Sequence, residues 1–109
     1  MYISITGLKP KGFLGFFRFW NLAIPSFSQA QKAKGNLLCK VKRMKGYQCT
    51  LTAWESREEM LAFMRSGIHL KAMQEFHKIA IGKTYGYEAE SVPTWKEAFE
   101  LLLSKGKNY

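Results

Sequence analysis

Residues 47–59 read YQCTLTAWESREE and span the junction between a predicted strand and a predicted helix. The first part, Tyr47 to Trp54, contains aromatic and β-branched residues, which favour strands. Ser56 is followed three residues later by Glu59, and this capping box predicts that a helix begins here. Trp54 therefore stands where a strand ends and a helix starts.

The segment before this strand, residues 36–45, is predicted to pair with it as a β-hairpin. We expect residues 44–46 to form a bulged three-residue loop, because that register gathers apolar side chains on one face. Trp54 then falls on the polar face of the hairpin. Cys39 and Cys49 fall on the apolar face and lie diagonally across the strands, so we expect reduced thiols that react slowly.

The other elements follow from hydrophobic periodicity and from residues that start and stop helices. Pro25 lacks a backbone N–H, so the helical pattern that opens at Phe13 is expected to break there. The remaining predictions are a strand at 2–8, a helical piece at 26–34, a helix from 56 that resumes over 68–81, a strand at 83–91 and a closing helix capped by Thr94.

This order of elements is that of the split βαβ, or ferredoxin-like, arrangement. We therefore predict a single α+β domain over residues 1–109, with a four-stranded antiparallel sheet, helices on one face and an extra C-terminal helix. The other face of the sheet is then left to water or to a second copy of the chain.

The distribution of charge is strongly uneven. The chain has 17 Lys and Arg against 8 Asp and Glu, a net charge of +9, and residues 1–54 hold no acidic residue at all. Such asymmetry predicts an anionic partner: a ligand with carboxylates or phosphates, nucleic acid, or a membrane surface. The alternative is that the positive charge only keeps the protein soluble. No apolar stretch approaches the roughly 20 residues of a membrane span, and no signal peptide is evident. We expect a cytoplasmic protein.

No strong catalytic motif is present: the sequence has no phosphate-binding glycine loop, no paired-cysteine metal motif and no serine nucleophile elbow. His69, Met73 and His77 are spaced to share one stripe of a helix. One interpretation is that they are haem or metal ligands, or a proton shuttle. The other is that they pack in the core. The run from Phe13 to Trp20, which includes Phe17, is apolar nearly all round. Either part of it lines a ligand cavity or a subunit contact, or all of it packs in the hydrophobic core.

Four segments carry a family resemblance. The strand end Thr50–Ser56, the run Ser66–Met73, the closing segment Val92–Ala98 and the upstream pattern Pro25–Gly35 resemble the dimeric α/β barrel superfamily of antibiotic-biosynthesis-monooxygenase-like proteins. They are most similar to its uncharacterised bacterial members of the DUF3291 type, related to spheroidene monooxygenase. The resemblance spans most of residues 20–104 and implies a homodimeric α/β barrel.

The resemblance also implies a function. It suggests a monooxygenase-like protein that works without a cofactor and binds an apolar or anionic organic ligand between the sheet and the helices. The candidate base in that interpretation is His69. The residues expected to line the ligand pocket are Trp54, Met73, Phe17 and Trp20.

Two alternatives stay open. In the haem-degrading members of the superfamily, the matching tryptophan lines the haem cavity and a histidine on the next helix ligates iron. Counted from Trp54, that ligand position falls on Met73, with His69 one turn before it and His77 one turn after it, so haem bound through His77 or His69 is one alternative. The other is a non-catalytic module that binds nucleic acid through the basic first half, although the hairpin lacks the aromatic signatures of an RNA-recognition motif.

Overall fold

The computed structural model describes residues 1–10, 12–67, 75 and 80–108, apart from the side chains of residues 13–17 and 22. Within this part of the chain there are five strands and three helices. They are β1 Tyr2–Pro10, α1 Gly12–Lys32, β2 Asn36–Met44, β3 Tyr47–Trp54, α2 Arg57–Met64, β4 Ala80–Glu88, α3 Trp95–Lys105 and β5 Lys107–Asn108.

The strands form one antiparallel sheet in the order β2-β3-β1-β4-β5. The first four strands have the neighbours expected of the ferredoxin-like arrangement, which confirms the predicted fold class. The sheet has five strands rather than the predicted four, because Lys107 and Asn108 pair with the outer side of β4.

Both predicted capping boxes are present at the starts of helices. The hydroxyl of Ser56 accepts a hydrogen bond from the backbone N–H of Glu59 at 3.2 Å, and Thr94 does the same for Glu97 at 3.2 Å. Each cap satisfies one of the N–H groups that a first helical turn leaves unpaired. The starts of α2 and α3 are therefore confirmed as predicted.

Side chains alternate along the strands and divide the sheet into two faces. The first, which we call the cavity face, includes Tyr2, Leu8 and Trp54 and packs against α1 and α2. The second, the α3 face, includes Ile5 and Leu51 and packs against α3.

Helix α3 corrects the expectation that helices lie on one face of the sheet only. Ala98, Phe99 and Leu102 of α3 are buried against the centre of the α3 face. Fully burying a side chain such as Leu102 stabilises a fold by about 1.5–3 kcal/mol, so the chain covers this face with its own C-terminal segment. The premise of a bare sheet face, from which a dimer was expected, does not hold.

Helix α1 corrects the expectation of a break at Pro25, since it runs through the proline without interruption. A proline inside a helix removes one hydrogen bond, here to the carbonyl of Asn21, and costs about 3 kcal/mol. Asn21 and Pro25 are exposed, so water can reach that carbonyl. Phe19 and Ala30, on either side of the proline, are both buried on the cavity face and hold the helix on the sheet.

The hairpin between β2 and β3 has a different turn from the predicted one. Met44 pairs with Tyr47, and Lys45 and Gly46 form a two-residue turn with φ of +48° and +84°. Positive φ at both positions is the signature of a type I′ turn, whose twist suits a hairpin. The bulged register was therefore wrong, and the correction reassigns residues 38–44 of β2 to the other face relative to β3.

The new register separates the two cysteines. Cys39 pairs with Thr52 on the cavity face, whereas Cys49 pairs with Gly7 and Lys42 on the α3 face. Both thiols are free. The prediction that they share one inward face was wrong, and its cause is the one-residue error in the turn.

Candidate functional site

A cavity of about 520 Å³ lies between the cavity face of the sheet and the helices α1 and α2. Its described walls are mainly apolar, and several of the residues are aromatic. Phe19 and Trp20 of α1 meet edge to face, with ring centroids 5.3 Å apart, and Trp54 stacks on Phe63 of α2 at 5.2 Å. A volume of this size suits a small organic molecule, and aromatic walls favour an apolar one.

The floor of the cavity is a row of hydroxyl side chains. The alternation that places Trp54 on this face also places on it Ser4, Thr6, Thr50, Thr52 and Thr84, all of which line the cavity.

Two of these hydroxyls donate hydrogen bonds to backbone carbonyls. Thr52 Oγ1 donates to the carbonyl of Ser4 at 3.4 Å, and Thr84 Oγ1 donates to the carbonyl of Ile5 at 3.3 Å. Thr84 Oγ1 can also accept from Thr6 Oγ1, which lies 3.4 Å away. Each of the two oxygens still keeps a free lone pair, so this part of the floor accepts hydrogen bonds rather than donating them. A bound molecule that lies on the floor is expected to present hydroxyl or N–H groups to it.

Two polar atoms in the cavity wall are buried without a hydrogen-bond partner among the described residues. They are Nε1 of Trp54, whose side chain is 1% exposed, and Oγ of Ser26, which is 8% exposed. Leaving a buried donor or acceptor unpaired costs about 1–3 kcal/mol. A ligand oxygen placed to bond with these groups removes that cost, so the atoms indicate where a polar part of a ligand belongs.

The charged residues of the described lining are Lys42 and Arg43, and both are cationic. No histidine, aspartate or glutamate is found in that part of the lining. Cys49 borders the cavity, but its side chain lies on the α3 face, and burial raises the pKa of its thiol to about 11, so the thiol stays neutral near pH 7 and is a poor nucleophile. The described side chains are suited to orient and enclose a ligand rather than to transfer protons.

The residues predicted for the site divide into two sets. Trp54 and Trp20 line the cavity. The side chain of Phe17 and the residues His69, Met73 and His77 lie outside the described residues. Trp54 shares its strand face with Gln48, Thr50 and Thr52, as predicted, but α1 and α2 cover that face, so its ring is fully buried.

Sequence reasoning missed Ser26 and the hydroxyl floor. The spacing of Ser4 and Thr6 in β1, and of Thr50 and Thr52 in β3, carries a signal, since alternate hydroxyls share one face of a strand. Ser26 follows Pro25. Because a helix break was expected at that proline, the helical periodicity was not extended to Ser26, which lies on the buried side of α1.

Comparison with known proteins shows similarity in structure rather than in sequence. No protein-family model matches the chain, and no curated protein matches it. Solved structures do match: a candidate antibiotic biosynthesis monooxygenase from Nitrosomonas europaea is 14% identical, with a TM-score of 0.72 over 84% of this chain and 100% of that one. A second such candidate, from Deinococcus radiodurans, is 17% identical, with a TM-score of 0.72 over 86% of this chain and 97% of that one.

SnoaB from Streptomyces nogalater, a cofactor-independent oxygenase, is 7% identical, with a TM-score of 0.67 over 84% of this chain and 94% of that one. The chain has the fold of antibiotic biosynthesis monooxygenases. At these identities the likeness concerns the fold alone. Two further observations concern the described part of the chain: no helix in it is long and apolar enough to cross a membrane, and no group of three or more His, Cys, Asp or Glu could hold a metal ion.

Proposed function

We propose that the chain binds an apolar, electron-rich organic molecule in the cavity and oxygenates it with O₂ without a cofactor. The observation that carries the proposal is the aromatic cavity of about 520 Å³ with Trp54 Nε1 and Ser26 Oγ buried and unpaired in its wall. The fold likeness to oxygenases, including one that needs no cofactor, supports the same reaction class.

In such a reaction the substrate itself reduces O₂. A substrate CH₂ group next to an aromatic ring loses a proton, the resulting carbanion gives electrons to O₂, and the carbon ends as C=O. One oxygen atom of O₂ enters the product and the other leaves as water, so atoms and electrons balance. The protein must hold the substrate in a dry pocket and stabilise the negative charge that deprotonation creates.

The described residues suit these tasks. Trp54 Nε1 is a donor only, so it can stabilise a substrate oxygen that gains negative charge, and its burial strengthens that bond. Thr52 and Thr84 accept hydrogen bonds from substrate hydroxyls. Phe19 and Trp20 cover the ring and keep water out. His69, which lies outside the described residues, remains the proposed base.

The test measures O₂ uptake with 1,8-dihydroxyanthrone, which has an acidic CH₂ group, a carbonyl and two hydroxyls. We expect the protein to accelerate its conversion to the anthraquinone above the protein-free rate. Ser26→Ala removes an unpaired buried hydroxyl, so the thermal midpoint should hold or rise while the rate falls about two- to tenfold, the worth of one neutral hydrogen bond.

The matched control is Ser28→Ala, two residues further along α1 and outside the cavity lining, which should leave the rate unchanged. Conversion no faster than in the protein-free solution would overturn the oxygenase proposal. Equal rates for wild type and Ser26→Ala would remove Ser26 from the binding site.

A further inference from the structure

The charges around the cavity are concentrated at one end of it. Arg43 lies on β2, which is an edge strand, and pairs with Gln48 of β3, whose own partner in β1 is Leu8. Arg43, Gln48 and Leu8 all line the cavity, and Arg43 is exposed. No salt bridge joins Arg43 to an acidic group within the described part of the chain.

Lys42 is the neighbour of Arg43, but it has a different orientation. Lys42 pairs with Cys49, and alternation places both residues on the α3 face. Among the charged residues of the described lining, Arg43 is therefore the one whose side chain lies on the cavity face. Residues 1–54, which provide most of the described lining, contain no acidic residue, so nothing in that segment neutralises it.

One of the two unpaired polar atoms, Nε1 of Trp54, is at the opposite end. Gln48 and Trp54 are six residues apart on β3, which corresponds to roughly 20 Å along the strand. The long side chain of Arg43 and the indole of Trp54 take up part of that length. Between the two ends lie the aromatic walls and the hydroxyl floor.

We propose that the ligand of this cavity is an elongated aromatic carboxylate, with its carboxylate at Arg43 and Gln48 and its uncharged end beside Trp54. The proposal rests on the cavity being a ligand site, as argued above. The planar guanidinium matches both oxygens of a carboxylate, and the Gln48 amide can donate a further hydrogen bond. Arg43 is the one cation of this face within the described cavity lining, and a single cation suits a monoanion better than a dianionic phosphate.

The experiment compares 2-anthracenecarboxylate with its methyl ester, which has the same ring system but no charge. Binding is followed by the fluorescence anisotropy of the probe, at low salt and at 0.5 M NaCl. We expect the wild type to bind the acid about five- to tenfold more tightly than the ester at low salt, and salt to reduce this preference.

Two variants remove one positive charge each from β2. Arg43→Gln removes it from the cavity face, and Lys40→Gln removes it from the α3 face of the same strand. Arg43→Gln should abolish the preference for the acid and leave ester binding unchanged. Lys40→Gln should change neither affinity by more than about twofold, because its charge is exposed and points away from the cavity.

Equal affinity of the wild type for acid and ester, or equal losses from Arg43→Gln and Lys40→Gln, would overturn the carboxylate proposal. If ester binding remains and weakens in Ser26→Ala, the cavity is still a ligand site and only this inference fails. If the wild type binds neither probe, the proposed binding role of the cavity fails, and this inference fails with it.

Discussion

Trp54 is both a structural residue and the strongest candidate contact to a ligand. Its ring is 1% exposed and packs between Met60, Phe63 and Ala30, while its N–H has no partner among the described residues. These two roles reside in different parts of the side chain, since the ring packs and the N–H is free to bond. Substitutions at this position can therefore separate them.

Trp54→Ala should lower the free energy of unfolding by about 3–5 kcal/mol, because it leaves a large cavity beside Phe63. Trp54→Phe keeps an aromatic ring in the same place, so its stability should stay much closer to that of the wild type, while oxidation of the anthrone slows. Denaturant unfolding and O₂ uptake measure the two effects. A Trp54→Phe protein that is fully active would show that the indole N–H has no role in the reaction.

The two thiols give a second prediction at the scale of single residues. Burial raises the pKa of Cys39 and of Cys49 to about 11, so both are protonated near pH 8 and react slowly with thiol reagents. Because Cys49 is 2% exposed and Cys39 is half-buried, Cys39 should react first. Labelling in the native state, followed by mass spectrometry, checks this order.

The sign of the pH dependence follows from the same shifts. The folded state raises both thiol pKa values above their ordinary value of 9.0, so it binds protons more tightly than the unfolded state does. The contribution of these thiols to stability is complete below about pH 9 and is lost as the pH rises towards about 11. Cys49→Ala should reduce this loss, and an unchanged alkaline loss would contradict it.

At the scale of secondary structure, the turn between β2 and β3 decides which side chains reach the cavity. Gly46 has a φ of +84° and only the flexible end of Lys9 near its missing side chain, so its requirement for glycine is conformational rather than steric. Lys45, at +48°, is a non-glycine residue in the left-handed region. Both residues therefore influence the stability of the hairpin register.

Gly46→Ala should destabilise the fold by about 1–2 kcal/mol, because a side chain disfavours the left-handed conformation. Lys45→Asn should instead raise the thermal midpoint slightly, since Asn-Gly is the preferred pair in a type I′ turn. Thermal unfolding of both variants measures the effects. If Gly46→Ala were as stable as the wild type, the two-residue turn would be incorrect, and with it the placement of Arg43 on the cavity face.

At the scale of the whole molecule, the expected homodimer remains a prediction. The original reason for it, a bare sheet face, is removed by α3, which covers Ile5 and Leu51 with Phe99 and Leu102. The resemblance to barrel-forming dimers still favours two-fold association. Sedimentation at micromolar concentration should give about twice the chain mass of 12.6 kDa. A single species at the monomer mass in ordinary salt would contradict this.

Local sequence was sufficient for the order of elements and hence for the fold. The caps at Ser56 and Thr94 are contacts between residues three apart, and the strand patterns of β1 and β3 repeat every two residues. Such caps and strand patterns depend only on residues close together in the sequence, so they can be recognised from the sequence alone. The ferredoxin-like arrangement follows from the order of these elements and from the rules that connect neighbouring strands.

Tertiary structure decided the features that make the cavity. Helix α1 continues past Pro25 because Phe19 and Ala30 pack on the sheet, and that contact outweighs a local penalty. The register of β2 depends on one residue in the turn. The position of α3 on its face of the sheet is stabilised by the burial of Leu102 against Ile5. Each of these outcomes balances a local preference against apolar burial between residues distant in sequence, and only the folded chain brings those residues together.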